Sequence, residues 1–364
     1  GKEKYVAHQE NPADVKAAEK MAYIYDEIVK LNPNLTEKDN SHSLNIFLTR
    51  LLFCFFAEDT GIFEDNIFTK TIVNHTNEDG SDLADILGML FESLDKKDNE
   101  KSGYPSFIQE FPYVNGKLFT AKVDIPKLNA KVRKLMIDCG NQDWKEINPD
   151  IFGSMFQAAA SADKRSSLGQ HYTSVPNIMK VINPLFLDNL KEEFEKSFSD
   201  EKKLNKLLDR IYRLKIFDPA CGSGNFLIIA YKQLRLLEMN ILKRINELPG
   251  QHPFKFSNIS LTQFYGIEID DFACEIAHLS LWLAEHQMNR LFKDEFGNVK
   301  PALPLKSSGK IVCGNATRLN WEEVCPKGIK PIASKKDEQI ALVDLSKSKQ
   351  LEMQGESDEI YILG

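Results

Sequence analysis

The residues best placed to do chemistry lie in the stretch KIFDPACGSGNFLIIAY, residues 215–231. An acid, Asp218, closes a short apolar run. Two glycines one residue apart, Gly222 and Gly224, follow it, and an apolar helix-like segment begins at Asn225. Glycines in such a loop let the backbone approach a ligand closely. The start of the next helix presents free N–H groups and the positive end of its dipole. A dinucleotide fingerprint needs a third glycine, and Leu227 holds that position. No Gly-Lys-Ser/Thr follows, so this is not a polyphosphate loop either. A carboxylate just ahead of the glycines would repel phosphates and suits a cationic amine. The plainer alternative is a turn whose glycines only permit tight packing. The coincidence of acid, paired glycines and strand–helix context weighs against it.

Two further strand ends carry polar groups. Glu268 closes FYGIEI, where a carboxylate can accept from both hydroxyls of a ribose. It lies much further on than the about 20 residues of compact dinucleotide folds. The long helix and the LPGQHPFKFS loop between the two acids account for the excess. Asn315 follows KIVCG, and its amide offers both a donor and an acceptor to an adenine edge. A solvated strand end and an ordinary turn are the bland readings of these two. Asp, Glu and Asn at successive strand ends describe a nucleoside with an amino-acid tail, which is S-adenosylmethionine.

Other constellations are weaker. Cys221 has no histidine near it in sequence and reads as a small packing residue. His278 and His286 are eight apart, not the i, i+4 of a helical metal pair. Glu58 and Asp59 are expected to be a solvated helix end rather than metal ligands. Lys164–Arg165 reads as a solvated loop before it reads as a phosphate contact.

Elements must bring those strand ends together. From about 12 to 160 the chain reads helical, with further helices at about 13–30, 82–95, 126–138 and 151–160. Leu44, Phe47, Leu48, Leu51, Leu52, Phe55 and Phe56 fall on one wide helical face, with Ser41 or Ser43 as N-cap and Gly61 as stop. Beyond SADKRSSLGQHYTS the pattern changes to a helix at 174–190, a charged amphipathic segment at 191–213, and strands LKIFD, FYGIEI, KIVCG and EIYILG separated by helices at about 224–246 and 271–289. Alternating strands and helices predict a parallel sheet covered on both faces. The polar stretch 325–358 reads as a long insertion.

The chain has 364 residues, enough for about two domains. The net charge of −7 means that any nucleic-acid contact must come from a local basic surface or another module. Six scattered cysteines show no C-x-x-C pair, so neither a zinc site nor a disulfide framework is expected. The polar start is not a signal peptide, and no apolar run approaches the ~18 residues that span a membrane. A cytoplasmic location without membrane contact is the expectation.

With these residues in view, the chain resembles the gamma-type S-adenosylmethionine-dependent DNA adenine-N6 methyltransferases of single-chain Type II restriction–modification enzymes. FDPACGSGNFL looks like their motif I, GQHYTS with the next helix like motif X, YGIEID like motif II and GNATRLNW like motif III. LLFCFFAEDTGIF and FPYVNGKLF resemble their helical spacer. The resemblance implies an α/β fold: an all-helical spacer (1–160), then a partial class I methyltransferase Rossmann-like parallel sheet (161–364). It implies that His171, Tyr172 and Thr173 meet the methionine end of the cofactor. Asp218 would hold its amino group, with Ala220, Gly222 and Gly224 lining the loop and Asn225 and Phe226 at the helix start. Glu268 would take the ribose hydroxyls, Ile269 the adenine face and Asn315 the adenine amino group, with Ala316 beside it. Family members often carry Asp where Asn315 stands.

The resemblance also implies double-stranded DNA as the partner of the full-length enzyme. The family's Asn-Pro-Pro-Tyr/Phe motif should follow the fourth strand, where it would hold a flipped adenine. Asn148–Pro149 and Asn183–Pro184 lack the second proline and precede motif I. The 364 residues are therefore expected to bind cofactor weakly or not at all, and not to methylate DNA. An open edge on EIYILG predicts self-association. Two other readings stand beside this one: a nicotinamide-dependent oxidoreductase, against which Leu227 counts, and a non-catalytic scaffold with a vestigial cofactor fold.

Overall fold

The helical stripe at 44–56 has no polar face wide enough to be left in water, and it becomes the axis of the N-terminal core. In the computed structural model, which describes residues 12–36, 41–114, 117–149, 152–153, 175–250, 256–297, 309–327 and 359–363, it is helix α2 (Ser41–Thr60). α2 is buried almost all round, from Leu44 to Ala57. Gly61 follows it at φ 80°, a conformation glycine adopts without strain. Around it pack α1 (Pro12–Leu31), α3 (Ile67–His75), α4 (Leu83–Leu94), the short α5 (Ser106–Gln109) and α6 (Ala130–Gly140). Of the helix expected at 151–160, Phe152 and Gly153 are described, and both are helical.

The expectation that Glu58 and Asp59 form a solvated helix end is corrected. They are 1% and 9% exposed. Glu58 accepts from the Thr69 N–H at 2.8 Å and the Thr69 hydroxyl at 2.6 Å. Asp59 accepts from the Trp144 N–H at 2.7 Å. Both are internal ties of the helical core. Among the described residues no group of three or more His, Cys, Asp or Glu side chains could hold a metal ion.

In the second half, α7 (Val175–Ile182) runs through a π-turn at Asn183–Leu187 into α8 (Asp188–Ser197). Pro184 has no N–H to close an α-turn, and the wider turn accommodates it. α9 (Glu201–Arg213) realises the amphipathic segment. Leu204, Leu207, Leu208 and Ile211 are buried on one face, and the Asp200 side chain caps its start by accepting from the Lys203 N–H.

The sheet comprises β1 (Lys215–Asp218), β2 (Phe264–Glu268), β3 (Lys310–Cys313) and β4 (Ile360–Ile362). It is parallel throughout, in the order β3-β2-β1-β4. Each strand is only three to five residues long and largely apolar, as a sheet covered by helices requires. α10 (Asn225–Glu247) follows β1, α11 (Asp271–Phe296) follows β2, and α12 (Trp321–Val324) follows β3. From β1 the chain proceeds to β2 and β3 on one side, while β4 lies on the other. The order therefore reverses beside β1, the place where ligands bind in open parallel sheets.

The two halves are not separate cores. Ile276, Leu279, Trp282 and Leu283, all on α11, belong to the same buried cluster as the N-terminal helices. The opposite side of α11, with Leu281, Ala284, Met288 and Phe292, packs into the core built on α10. Among the described residues no helix is long and apolar enough to cross a membrane.

Candidate functional site

β1 delivers Asp218 to the sheet's C-terminal rim, where it is 2% exposed. Its Oδ1 accepts from the Ala220 N–H at 3.0 Å. Burial raises its carboxyl to about 6, against the lowering effect of that bond, and the neighbouring negative charge of Glu268 adds to the rise. An acid so placed gains from a cation more than a solvated one would.

The loop after β1 is sewn to the end of β2. Cys221 N–H donates to the Ile267 carbonyl at 3.0 Å, and Gly222 N–H donates to Glu268 Oε2 at 2.8 Å. Glu268 Oε1 accepts from the N–H groups of Ile269 and Asp270, at 2.8 and 3.0 Å. Among the described residues three backbone donors thus fix the Glu268 carboxylate, and Oε2, with one bond there, keeps acceptor capacity on the loop side.

The two motif glycines do different work. Gly222, at φ 53°, has no described residue within 4 Å of where a Cβ would stand, so among the described residues its outer face is open to a ligand. Gly224, at φ 86°, would bring a Cβ to 3.2 Å from the Ala277 Cβ, so it lets α11 pack against the loop. Asn225 begins α10, and its Oδ1 accepts from the Ser223 hydroxyl at 3.3 Å. Phe226 packs, partly buried, against the α10 core. Ala220 is exposed at the rim, and Ile269 is 69% exposed just past β2.

At the end of β3, Gly314 N–H donates to the Glu268 carbonyl at 2.7 Å, which sets Asn315 beside the β2 rim. Asn315 Oδ1 accepts from both the N–H and the hydroxyl of Thr317, at 2.9 and 2.7 Å. Its acceptor is therefore spent in a local turn, and among the described residues the amide nitrogen is left for another partner. The Ala316 carbonyl accepts from Trp321 Nε1 at 2.8 Å. His171, Tyr172 and Thr173 lie outside the described residues, as does Lys164–Arg165.

Cys221 is buried, and burial pushes its thiol well above the usual range, as befits a packing residue. His286 lies between the two halves, its Nε2 3.0 Å from the Thr60 carbonyl, with burial lowering its pKa.

One residue of the rim escapes sequence reasoning. A Cβ on Gly266 would stand 2.7 Å from Ile311 Cδ1 and 2.8 Å from Cys221 Sγ. The bare strand position lets Cys221 tuck under the loop. A glycine in a strand interior is a known mark of close approach, and YGIEID carries it openly.

A parallel sheet in this order, with an acid closing β1, a glycine loop and an acid closing β2, defines a class I methyltransferase-type α/β domain behind a helical spacer. Residues 194–364 match the MmeI DNA-methyltransferase domain and residues 42–119 the MmeI helicase spacer domain. It is 56% identical over 328 residues to DNA methyltransferase A of Bacillus subtilis (strain 168), covering 90% of this chain and 37% of that protein. The solved structure of the Type IIL restriction–modification enzyme MmeI in complex with DNA is 42% identical, with a TM-score of 0.75 over 87% of this chain and 42% of that one. The adenine-specific methyltransferase BrxX of Escherichia coli O9:H4 (strain HS) is 21% identical over 199 residues, 46% of this chain and 16% of that protein. The chain thus spans less than half the length of each of these relatives.

Proposed function

We propose that these residues are the cofactor-binding part of a site-specific DNA methyltransferase of a restriction–modification system. In the full-length enzyme the methyl group would pass from S-adenosylmethionine to adenine N6 in double-stranded DNA. The observation that carries this is the Asp218–Gly222–Glu268 arrangement: a desolvated carboxylate, an open glycine and a fixed second carboxylate along one rim.

The residues fit the cofactor. Asp218 would hold the amino group as a charge-assisted hydrogen bond. Gly222 would let the methionine tail lie against the loop, with Ala220, Gly224, Asn225 and Phe226 shaping its walls. Glu268 Oε2 would accept from the ribose hydroxyls, and Ile269 would cover one face of the adenine. Asn315, its oxygen engaged by Thr317, would donate from its amide nitrogen to a ring nitrogen rather than accept from the adenine amino group. His171, Tyr172 and Thr173 would close the methionine end. When bound, the cofactor supplies a methyl group on a sulfonium centre. The chain's residues would orient it and shield it from water.

These 364 residues contain no Asn-Pro-Pro-Tyr or Asn-Pro-Pro-Phe. Asn148 is spent on Asp14, to whose carboxylate oxygens its N–H and side-chain amide donate at 3.1 and 3.0 Å, and Asn183–Pro184 opens the π-turn. Neither would hold a flipped base, so methyl transfer needs groups beyond those described. The similarity to an adenine-specific methyltransferase favours adenine as the base. Calorimetry of this chain with S-adenosylmethionine and with NAD tests the reading: weak but measurable binding of the first and none of the second is expected. Preference for NAD would overturn it. A tritiated methyl-transfer assay should show no DNA methylation by these 364 residues, and robust transfer would overturn that part.

A further inference from the structure

We propose that Gly153, on the spacer side of the chain, is a positioning residue of the cofactor loop. The spacer would thereby be a working part of the cofactor site rather than a connector. Phe152 is fully buried in the core of the N-terminal helices. The next residue, Gly153, is helical, and a methyl group there would overlap both the hydroxyl and the Cβ of Ser223. Ser223 is the residue between Gly222 and Gly224. The backbone at Gly153 therefore lies directly on the tip of the loop.

The loop is held from a second side as well. Gly224 packs on Ala277 of α11, and α11 is gripped by the spacer core through Ile276, Leu279, Trp282 and Leu283. Gln287 on the same helix donates to the Ile147 carbonyl at 3.0 Å. Gly222 to Gly224 is thus wedged between Gly153 and a helix that the spacer clamps. The open face of Gly222 and the bond from its N–H to Glu268 depend on where that wedge places the loop. Close-packed contacts transmit displacement rather than absorb it. A side chain at Gly153 would push Ser223 outward and loosen the Gly222–Glu268 tie, without touching any ligand.

The effect on cofactor affinity rests on the function proposed above, whereas the effect on the loop does not, and one experiment separates them. Hydrogen exchange in the full chain would be compared for wild type, Gly153→Ala, Ser223→Gly and the double variant. Gly153→Ala should speed exchange of the Gly222 and Gly224 amides on the order of tenfold, leaving amides of α3 and α6 unchanged. S-adenosylmethionine affinity by calorimetry should fall on the order of tenfold in parallel. Ser223→Gly removes both atoms that the new methyl would strike. The double variant should therefore return to the exchange and affinity of Ser223→Gly alone. Should Gly153→Ala not fold, Ser223→Val crowds the same contact from the half-buried loop side and is expected to give the same loop exchange. Unchanged loop exchange, or a change that Ser223→Gly fails to rescue, overturns the proposal. Variants that change loop exchange as expected, in a chain that binds NAD in preference to S-adenosylmethionine, would leave the contact standing and sink the cofactor reading.

Discussion

Asp218 keeps its charge against its surroundings. One backbone donor and almost no water leave its carboxyl at about 6, so its proton competes with any cationic ligand in a way that a surface acid's would not. S-adenosylmethionine binding should hold steady above pH 6 and weaken about tenfold per pH unit below it, because the site must first lose a proton. Asp218→Asn should cost on the order of 10- to 100-fold in affinity and flatten that dependence. Calorimetry between pH 5 and 8 reads both; an unchanged slope in the variant would remove Asp218 from the amine site. Glu58 shows the same physics without a ligand. Burial holds its carboxyl at about 7 despite the two bonds from Thr69. Because its folded value lies above the ordinary one, the native state binds the extra proton between about pH 4.3 and 7. The Glu58 contribution to stability is therefore greatest in acid and is lost as pH rises from about 4.3 through 7, by up to roughly 3 kcal/mol. Glu58→Gln keeps the hydrogen-bonding shape and should abolish that decline, which thermal unfolding at pH 5 and 8 would show.

At the scale of elements, what the sequence discloses depends on how local the cause is. The four strands, the long helices after β1 and β2, and the α2 stripe follow from periodicity and from glycine and capping residues nearby. Gly61 stops α2 and Asp270 caps α11 by accepting from the Ala273 N–H. The burial of Glu58 and Asp59 has distant causes, a hydroxyl on α3 and the N–H of Trp144, so adjacent residues give no sign of it. Asp218 and Glu268 were legible because each closes a strand, and Gly222 because it lies in the loop just after β1. The turn that occupies the Asn315 oxygen was not, since it depends on the Asn315 side chain folding back onto Thr317. β4 is the element with an outcome still to test. It pairs with β1, is anchored by Arg210 gripping Glu359 at 2.9 and 3.0 Å, and among the described residues has no strand on its outer side. Ile362 is 51% exposed there. In a protein of these 364 residues, that edge should promote concentration-dependent self-association, and Ile362→Lys should suppress it. Light scattering that finds a clean monomer at high concentration would contradict this.

For the whole molecule, a division near residue 160 follows the change in pattern from helical to alternating, but the packing crosses it. α11 belongs to the methyltransferase-type sheet by sequence and to the spacer by burial. Trp282 packs within 5.7 Å of Phe53 ring to ring, and His286 reaches the Thr60 carbonyl. Apolar residues appear on every side of α11, and no period in its sequence reveals that one side serves a core laid down two hundred residues earlier. A helix shared by two cores couples their unfolding, because neither can release it without exposing apolar surface in the other. The expected behaviour is one cooperative transition, reported alike by Trp144 fluorescence in the spacer and by hydrogen exchange in β1 and β2. Trp282→Ala should lower the stability of both halves together by about 3–5 kcal/mol, through the cavity it leaves in the shared core. A variant in which the spacer signal melts early while the β-sheet amides stay protected would show two independent domains. It would also remove the mechanical basis for the spacer's hold on the glycine loop.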